Sequence, residues 1–507
     1  MTRLFSVLVG GRVVVNRMTD RPSTRRAARH GGVALLVAFA VGACATNPVT
    51  GEREFVLMSE SEEKEIGRQA DVEIRQEMGV YEDQRLQSYV EEIGLKMAAT
   101  SHRPDLPWHF TIVDSAAINA FALPGGYIYI TRGILAYLGD EAQLAGVLGH
   151  EVGHVTARHA VQAYTRAFGA QLGLTIGGIL APATRPFSGL AETGLGLLFL
   201  KYGRDDEVQS DRLGAEYAVT NGWDPDGVPA MLSTLARLEE TSDRRGIPNW
   251  LSTHPDPASR VGEVAAIVKQ LEAKAGSARL VVDRSGYLER IDGMIYGDNP
   301  DQGIVRGRDF LHPVLRFALR FPAGWEVQNS ETQVAAKDPA EEIYMILTLA
   351  ERRLQNIERG AIENMRRAGY RIRSGGMTTI NGLDAHVGTY EGNAEGLGRA
   401  LARVAHIRHR NEVYMLGGLA SVAVYPRVER EFDESIRSFR PLSADEAENI
   451  KPNRISLYVV REGDTWQAIA QRAGQDIIRP STLAIMNGSP TNEQPRPGDR
   501  IKIVVAG

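Results

Sequence analysis

The chain has 507 residues and a formal net charge of −5, with 43% hydrophobic and 24% charged residues. This composition is ordinary for a globular protein, and the length predicts several domains of roughly 100 to 200 residues each. The excess of acidic residues argues against nucleic acid as a partner, and a single cysteine excludes internal disulfides.

The first 43 residues differ from the rest of the chain and are typical of an export signal. They contain seven arginines against one acidic residue, and an apolar run follows the arginines. The only cysteine, Cys44, comes directly after that run in Val-Gly-Ala-Cys, which resembles the lipobox of bacterial lipoproteins. The resemblance implies a membrane anchor through lipidated Cys44, and Ala45 implies sorting to the outer membrane of a Gram-negative bacterium. A start at Met18, or a plain signal peptide with a chance cysteine, remains open.

The next part of the chain predicts helices and then strands. Two amphipathic helical patterns occupy residues 60 to 100, and strands are predicted at Trp108 to Val113 and at Tyr127 to Thr131. Between these strands, Asn119-Ala-Phe-Ala-Leu-Pro-Gly-Gly126 ends in a Pro-Gly-Gly turn, which predicts a hairpin or an ordinary tight turn.

The stretch Glu141 to Ala160 contains His150, Glu151 and His154 inside an apolar helical pattern, with Asp140 as the predicted N-cap. The two histidines are four residues apart, so their imidazoles leave the same helix face and can share one metal ion. Glu151 is rotated off that row, where it can take a proton from an attacking water and pass it to a leaving amine. We therefore predict a zinc peptidase site, the alternative being a chance pattern.

The sequence leaves the third metal ligand open, because a catalytic zinc ion usually takes three protein ligands. His159 lies about 180° round a continuous helix from the first histidine, so we predict a surface or packing residue. Farther on, Asp206, Glu207 and Asp211 open another helix. Glu207 and Asp211 share a face, so one can bind metal while the other orients a ligand histidine. Spacing alone does not choose among the three.

Residues 161 to 200 are apolar and rich in glycine, but no run approaches the roughly 20 residues that span a bilayer. Pro182 and Pro186 interrupt the apolar runs. We predict buried or lid-forming helices here, with a membrane-dipping hairpin as the alternative.

Four motifs occur in the order seen in the zinc metallopeptidase family that includes HtpX, BepA and the CAAX prenyl proteases. They are Asn119–Gly126, His150–His154, Glu207–Asp211 and Thr253–Arg260. Over roughly residues 45 to 272 the chain resembles this gluzincin-type family. The resemblance implies His150, His154 and Glu207 as ligands of one catalytic Zn²⁺ ion and Glu151 as the general base. It implies Asp211 as the partner of a ligand histidine.

The resemblance also implies that Asn119 and Ala120 lie on an edge strand that aligns an extended polypeptide substrate by backbone pairing. In BepA-like members the histidine of the His-Pro loop can approach the metal. His254 is therefore either a latch that keeps the site inactive or a residue that fixes the loop or polarises the substrate carbonyl. Gln209 and Ser210 replace the middle pair of the usual Glu-x-Glu-Ala-Asp pattern. The chain lacks the helical repeats of BepA-type proteins, so a chaperone role that rests on them is not implied.

Residues 278 to 445 are rich in β-branched and aromatic residues and predict an α+β domain. The stretch Phe317 to Trp325 weakly resembles PsbP-like domains. This region holds scattered histidines that we predict to be structural or exposed: His312, His386, His406 and His409.

Residues 456 to 505 predict the order strand, helix, helix, strand. Tyr458 to Ala470, Leu483 to Asn487 and Pro497 to Ile503 carry the pattern, which resembles a LysM domain. The resemblance implies binding of glycans that contain N-acetylglucosamine, and hence peptidoglycan as a partner. A LysM-like fold that has lost glycan binding is the alternative.

The sequence therefore predicts a multidomain protein. Its parts are a signal peptide at 1–43, a mainly α (α+β) gluzincin-type metallopeptidase domain at 44–275, a β-rich α+β domain at 278–445 and a small βααβ LysM domain at 456–505. We predict a zinc endopeptidase, lipid-anchored at the periplasmic face of the outer membrane, that cleaves misfolded or misassembled envelope proteins. The alternatives are a peptidoglycan peptidase and a non-catalytic tether or assembly lipoprotein.

Overall fold

The computed structural model describes residues 44–167, 202–241, 253–276, 279–330, 332–350, 356–394, 396–474 and 477–507. The predicted signal peptide and most of the glycine-rich region at 161–200 lie outside the described residues, so both stay predictions. None of the helices in the described part of the chain has the length and hydropathy that a bilayer crossing needs.

The helices that the structure describes follow the chain in this order: α1 (Glu60–Met78), α2 (Gln84–Ala99), α3 (Arg132–Leu135), α4 (Glu141–Thr156), α5 (Arg204–Thr220), α6 (Gly227–Thr241), α7 (Pro257–Ala275), α8 (Arg284–Ile291), α9 (Ile357–Arg367), α10 (Tyr425–Arg437), α11 (Ala444–Glu448), α12 (Trp466–Ala473) and α13 (Pro480–Met486). The strands are β1 (Cys44–Thr46), β2 (Arg53–Phe55), β3 (His109–Val113), β4 (Ala120–Leu123), β5 (Tyr127–Thr131), β6 (Ile295–Tyr296), β7 (Ile304–Arg306), β8 (Asp309–His312), β9 (Phe317–Arg320), β10 (Glu326–Asn329), β11 (Gln333–Lys337), β12 (Tyr344–Leu349), β13 (Arg371–Ile380), β14 (Leu383–Ala394), β15 (Gly398–His409), β16 (Glu412–Ser421), β17 (Arg440–Pro441), β18 (Asn453–Val459) and β19 (Arg500–Val505).

The described residues form two compact units. One contains residues 44–297 together with 453–507, and the other contains residues 298–452. These units divide the chain differently from the boundaries predicted from the sequence, because residues 279–297 and the predicted LysM residues both join the predicted peptidase residues in one unit. The reason is shared packing: Tyr287 and Leu288 of α8 are buried in the same hydrophobic core as α4.

Helix α4 lies at the centre of the first unit. It begins at the predicted N-cap Asp140, whose carboxylate accepts a hydrogen bond from the backbone N–H of Gln143 at 2.9 Å. Every residue from Leu144 to Thr156 is buried. The helix packs against α2, α5, α6 and strand β4. These elements shield the side chains of α4 from solvent.

A three-stranded sheet with the order β3-β5-β4 lies beside α4. Strand β3 pairs with β5 in parallel, and β4 pairs with β5 antiparallel. The hairpin predicted at the Pro-Gly-Gly turn is confirmed, because β4 and β5 on either side of the turn pair antiparallel. Gly125 and Gly126 in the turn have φ values of 84° and 97°. Such positive φ values suit glycine in a tight turn. Strand β4 is at the edge of the sheet.

The LysM domain completes the hydrophobic core of the first unit. Strands β18 and β19 are antiparallel, with α12 and α13 between them in the chain, as predicted. Strand β18 also pairs with β6 of the peptidase residues. The side-chain amino group of the buried Lys502 of β19 donates to the carbonyls of Ala136 at 2.7 Å and Leu138 at 2.5 Å. Both carbonyls lie just before α4.

The second unit is an α+β domain, which confirms the predicted class. A seven-stranded sheet has the order β10-β11-β12-β16-β15-β14-β13, and a four-stranded sheet has the order β17-β9-β8-β7. Helix α10 packs on one apolar cluster through Phe432, and α9 packs on another through Met365. The four histidines of this unit are buried, so none is the exposed residue that the sequence allowed.

Candidate metal centre

The structure brings together the three residues that the sequence proposed as metal ligands and adds His254. His150, His154, Glu207 and His254 each offer one ligand atom, and these atoms all lie within 4.8 Å of one another. All four side chains are buried. Two come from α4, one comes from α5 and one lies just before α7, so residues far apart in the chain form one cluster.

Glycine contacts between α4 and α5 make this cluster possible. A Cβ built on Gly149 would lie 3.0 Å from the Cα of Gly214, and one built on Gly214 would lie 2.8 Å from the backbone nitrogen of His150. A Cβ on Gly153 would lie 3.1 Å from the Cα of Ser210. The absence of these side chains lets the helix backbones approach closely, and it carries Glu207 to the face of α4 that holds both histidines.

The spacing of the four ligand atoms fits a tetrahedral metal site. The Nε2 atoms of His150 and His154 are 3.0 Å apart, and Nδ1 of His254 lies 3.3 Å from the first of them. Oε1 of Glu207 is 3.0 Å from Nδ1 of His254 and 3.5 Å from Nε2 of His154. Ligands about 2.0 to 2.1 Å from a tetrahedral zinc ion are roughly 3.3 Å from one another. The nitrogen and oxygen donors therefore fit zinc in both type and spacing.

The charge states of these groups also suit a cation. Burial holds the pKa values of His150 and His154 well below the ordinary range, so both imidazoles are neutral ligands. Burial acts to raise the pKa of Glu207, but His254, His150 and Arg260 outweigh it and keep that pKa below its usual value. A cation placed between these ring nitrogens and the carboxylate of Glu207 would be stabilised by all of them.

Asp211 holds the outer nitrogen of His150. Nδ1 of His150 lies 2.8 Å from Oδ1 of Asp211, which is one turn of α5 after Glu207. A neutral imidazole that donates from Nδ1 presents the lone pair of Nε2 to the metal position. Burial raises the pKa of Asp211 to about 6, although Arg260 and His254 act to lower it.

Glu151 has the environment of a proton acceptor. Its side chain is fully buried, and neither carboxylate oxygen has a hydrogen-bond partner among the described residues. Burial raises the pKa of Glu151 to about 7, which suits a group that exchanges protons near neutral pH. Its Oε1 lies 3.5 Å from Nε2 of His254, so Glu151 lies beside the cluster rather than within it.

The predicted substrate strand lies next to this cluster. Asn119 immediately precedes β4, and Ala120 is the first residue of β4. Within the described part of the chain β4 pairs with β5 alone, so its outer edge has no strand partner there, although the side chains of β4 are buried. The side-chain oxygen of Asn119 is buried without a hydrogen-bond partner among the described residues.

Comparisons with known proteins agree with this geometry. Residues 84–268 match peptidase family M48, and residues 458–504 match the LysM domain. The chain carries an M48 metallopeptidase domain and a LysM domain. The matches confirm the predicted peptidase family and the predicted C-terminal domain.

Curated relatives of the M48 domain are proteases. The Beta-barrel assembly-enhancing protease of Escherichia coli (strain K12) is 27% identical over 234 residues, which are 45% of this chain and 48% of that protein. The Mitochondrial metalloendopeptidase OMA1 of Arabidopsis thaliana is 32% identical over 193 residues, or 38% of each chain. The chain thus spans about half or less of the length of these relatives.

The chain has low similarity to solved structures. The cyanobacterial PsbP of Synechocystis is 13% identical and covers 27% of this chain and 95% of its own, with a TM-score of 0.22. The PsbP likeness stays a prediction.

The M48 domain holds a buried arginine that the sequence analysis did not assign. Nη1 of Arg260 lies 2.5 Å from Oε2 of Glu207 and 3.0 Å from Oδ2 of Asp211. Arg260 therefore holds both acidic residues of α5 at once. Arg260 is the last residue of the Thr253–Arg260 motif, and its place in that motif is the sequence feature that could have identified it as a site residue.

The M48 domain also places His159 differently from the sequence prediction. His159 is buried, and its Nδ1 lies 3.0 Å from Nδ1 of His154. The prediction assumed one continuous helix, but α4 ends at Thr156 and Arg158 has a φ of 60°. That left-handed residue turns the chain back, so His159 meets the ligand histidine instead of pointing away from it.

Buried charges hold this turn in place. Nε of Arg158 donates to Oε2 of Glu63 at 3.2 Å, and Nη1 of Arg103 donates to Oε1 of the same carboxylate at 2.7 Å. Arg103 also donates to the carbonyl of Val155 at 3.2 Å, near the end of α4. Glu63 of α1 therefore fixes the end of the helix that carries the HExxH motif.

Proposed function

We propose that this protein is a zinc-dependent endopeptidase of the cell envelope that hydrolyses misfolded or misassembled envelope proteins. One observation carries the proposal. The carboxylate of Glu151 is buried without a hydrogen-bond partner among the described residues, beside donors whose spacing fits tetrahedral zinc. A purely structural metal site has no use for such a carboxylate, whereas peptide hydrolysis needs a proton acceptor there.

The proposed chemistry divides between ligands and base. His150, His154 and Glu207 hold the zinc ion, which supplies Lewis-acid polarisation of the scissile carbonyl and makes water more acidic. Glu151 takes the proton of the attacking water and passes it to the leaving amine. Asp211 keeps the tautomer of His150 that leaves Nε2 free to bind metal.

The proposed substrate-binding element is strand β4, whose outer edge would pair with the substrate backbone. An extended polypeptide that pairs with Ala120 and its neighbours gains affinity from backbone hydrogen bonds, which do not depend on sequence. This supports unfolded or misassembled proteins as substrates. Similarity to the Beta-barrel assembly-enhancing protease of Escherichia coli supports a role in outer-membrane protein assembly.

His254 is the proposed latch. Its Nδ1 lies 3.0 Å from Glu207 and 3.3 Å from His150, so it takes the fourth corner of the tetrahedron. A catalytic zinc ion keeps this corner for water or substrate. His254 must therefore leave before hydrolysis. The alternatives are that His254 fixes the His-Pro loop or polarises the substrate carbonyl.

The proposed place of action is the periplasmic face of the outer membrane. Cys44 is the proposed lipid attachment residue, and the LysM domain is the proposed peptidoglycan contact. Two rival functions use the same features: a peptidoglycan peptidase, and a non-catalytic tether between outer membrane and wall.

One experiment separates the three functions. The purified protein and its Glu151→Gln variant, both loaded with zinc, are offered unfolded protein and purified peptidoglycan in separate reactions. We expect the parent to cleave the unfolded protein and the variant to cleave it about 10²- to 10⁴-fold more slowly. Glutamate-dependent cleavage of peptidoglycan alone would favour the wall peptidase, and no cleavage of either would favour the tether.

A further inference from the structure

The two ligand histidines of α4 have outer partners of different kinds. Nδ1 of His150 lies against the carboxylate of Asp211, whereas Nδ1 of His154 lies 3.0 Å from a second imidazole nitrogen, Nδ1 of His159. Two ring nitrogens at this distance form a hydrogen bond only if one carries a proton and the other does not. The state of His159 therefore decides which nitrogen of His154 is protonated.

The contacts of His159 set the direction of this hydrogen bond. Nε2 of His159 lies 2.8 Å from Oε1 of Gln209, and an amide oxygen can only accept. His159 therefore carries its proton on Nε2 and accepts at Nδ1. His154 in turn donates from Nδ1 and presents a lone pair at Nε2, the atom that lies 3.0 Å from Nε2 of His150.

Both departures from the usual Glu-x-Glu-Ala-Asp pattern contact His159. Gln209 accepts from Nε2, and Oγ of Ser210 lies 3.3 Å from Nδ1. Asp206 is farther away, with Oδ1 at 3.8 Å from Nε2. The residues that differ from the family pattern are thus the ones that surround this imidazole, and the main acceptor among them is a neutral amide.

We propose that His159 is a positioning residue that fixes the tautomer and ring orientation of His154, with Gln209 holding His159 in the accepting state. The inference rests on the proposed zinc site, because it concerns a ligand of that site. Its test measures zinc binding and needs no turnover, so the result stands whether or not the protein proves to be a peptidase.

The test compares zinc dissociation constants, obtained by competition with a chromophoric chelator well below the melting temperature of each zinc-free protein. His159→Phe keeps the ring volume but removes both nitrogens, and we expect zinc affinity to fall roughly 10- to 100-fold. Gln209→Leu removes the acceptor of His159, and we expect it to lower zinc affinity by a smaller factor than His159→Phe does. Gln209→Glu keeps an accepting oxygen and binds zinc at least as tightly as the parent.

Two controls separate positioning from general loss of structure. His312→Phe removes a buried imidazole from the other unit and should leave the zinc dissociation constant unchanged. Nitrogen-15 NMR of the histidine rings should show His154 protonated at Nδ1 in the parent and in Gln209→Glu. The proposal is overturned if the zinc dissociation constant of His159→Phe is within about twofold of the parent's. It is also overturned if Gln209→Leu and Gln209→Glu have equal zinc dissociation constants.

Discussion

Lys502 of the last LysM strand donates from its buried side-chain nitrogen to the carbonyl of Ala136, in the peptidase residues that lead into α4. The same nitrogen donates to the carbonyl of Leu138. Together with the pairing of β18 and β6, this contact makes the LysM domain a structural part of the peptidase unit. A domain joined only by a linker would show neither feature.

We expect Lys502→Met to destabilise the whole peptidase unit. Methionine fills similar volume but leaves the two carbonyls buried without a donor, at a cost of about 1 to 3 kcal/mol for each carbonyl. Thermal unfolding should shift to lower temperature, with the peptidase and LysM residues still unfolding together. Lys274→Met, on the exposed face of α7, should leave the transition in place. Separate transitions for the two parts would contradict a shared core.

Gly214→Ala tests the close approach of α4 and α5. The added methyl group would lie 2.8 Å from the backbone nitrogen of His150, so the helices must separate. We expect a loss of about 1 to 3 kcal/mol in unfolding free energy and weaker zinc binding, because Glu207 moves with α5. Gly262→Ala is the matched control, since a Cβ at this helical glycine meets no atom within 4 Å. Equal behaviour of the two variants would refute the role of the contact.

His254→Ala tests the latch. Removing the imidazole frees the fourth corner, so we expect faster hydrolysis of unfolded casein and of unfolded envelope proteins. If His254 polarises the substrate carbonyl instead, the variant will be slower at every substrate concentration. If His254 only fixes the loop, the zinc-free protein will melt at a lower temperature and the rate will not rise.

Residues 298–452 should lose stability in acid because of His406. Burial, together with the neighbouring His386, lowers the pKa of His406 to about 3. Unfolded histidine titrates near 6.5, so as pH falls the unfolded chain binds protons first. Above about pH 6.5 His406 is neutral in both states and does not lower the free energy of unfolding. Between about pH 6.5 and pH 3 the free energy of unfolding falls by about 1.4 kcal/mol per pH unit.

The measurement is hydrogen exchange of β15 at about pH 7 and about pH 5, corrected for the intrinsic pH dependence of exchange. We expect His406→Leu to weaken the loss of protection at the lower pH. A loss as large as in the parent would show that other groups control the acid sensitivity of this unit.

The sequence predicted the parts of the site that depend on local periodicity. The spacing of His150 and His154 needs one helix, and the N-cap Asp140 and the turn at Gly125 are local features as well. His159 was predicted to be a surface or packing residue and is a packing residue, but the assumed continuous helix was wrong, because one left-handed residue, Arg158, ends the periodicity. That conformation depends on a long-range ion pair with Glu63, which no local pattern shows.

The domain boundaries were less predictable for a similar reason. A change in composition near residue 278 marks where β-branched residues become frequent, but it does not show what α8 packs against. Tyr287 of α8 donates to the carbonyl of Leu135 at 2.6 Å, a contact across 152 residues. Composition reports local preference, whereas the units of a structure are defined by contacts of this range.

The shared core has a consequence for the order of events during synthesis. Residues 141–156 leave the ribosome well before residues 453–507. Until Lys502 of the last strand has been synthesised, the two carbonyls that precede α4 lack its side chain as a hydrogen-bond donor. A chain that stops short of β19 lacks the side chains that close this core. The core around α4 therefore closes only after the residues of β19 have been synthesised.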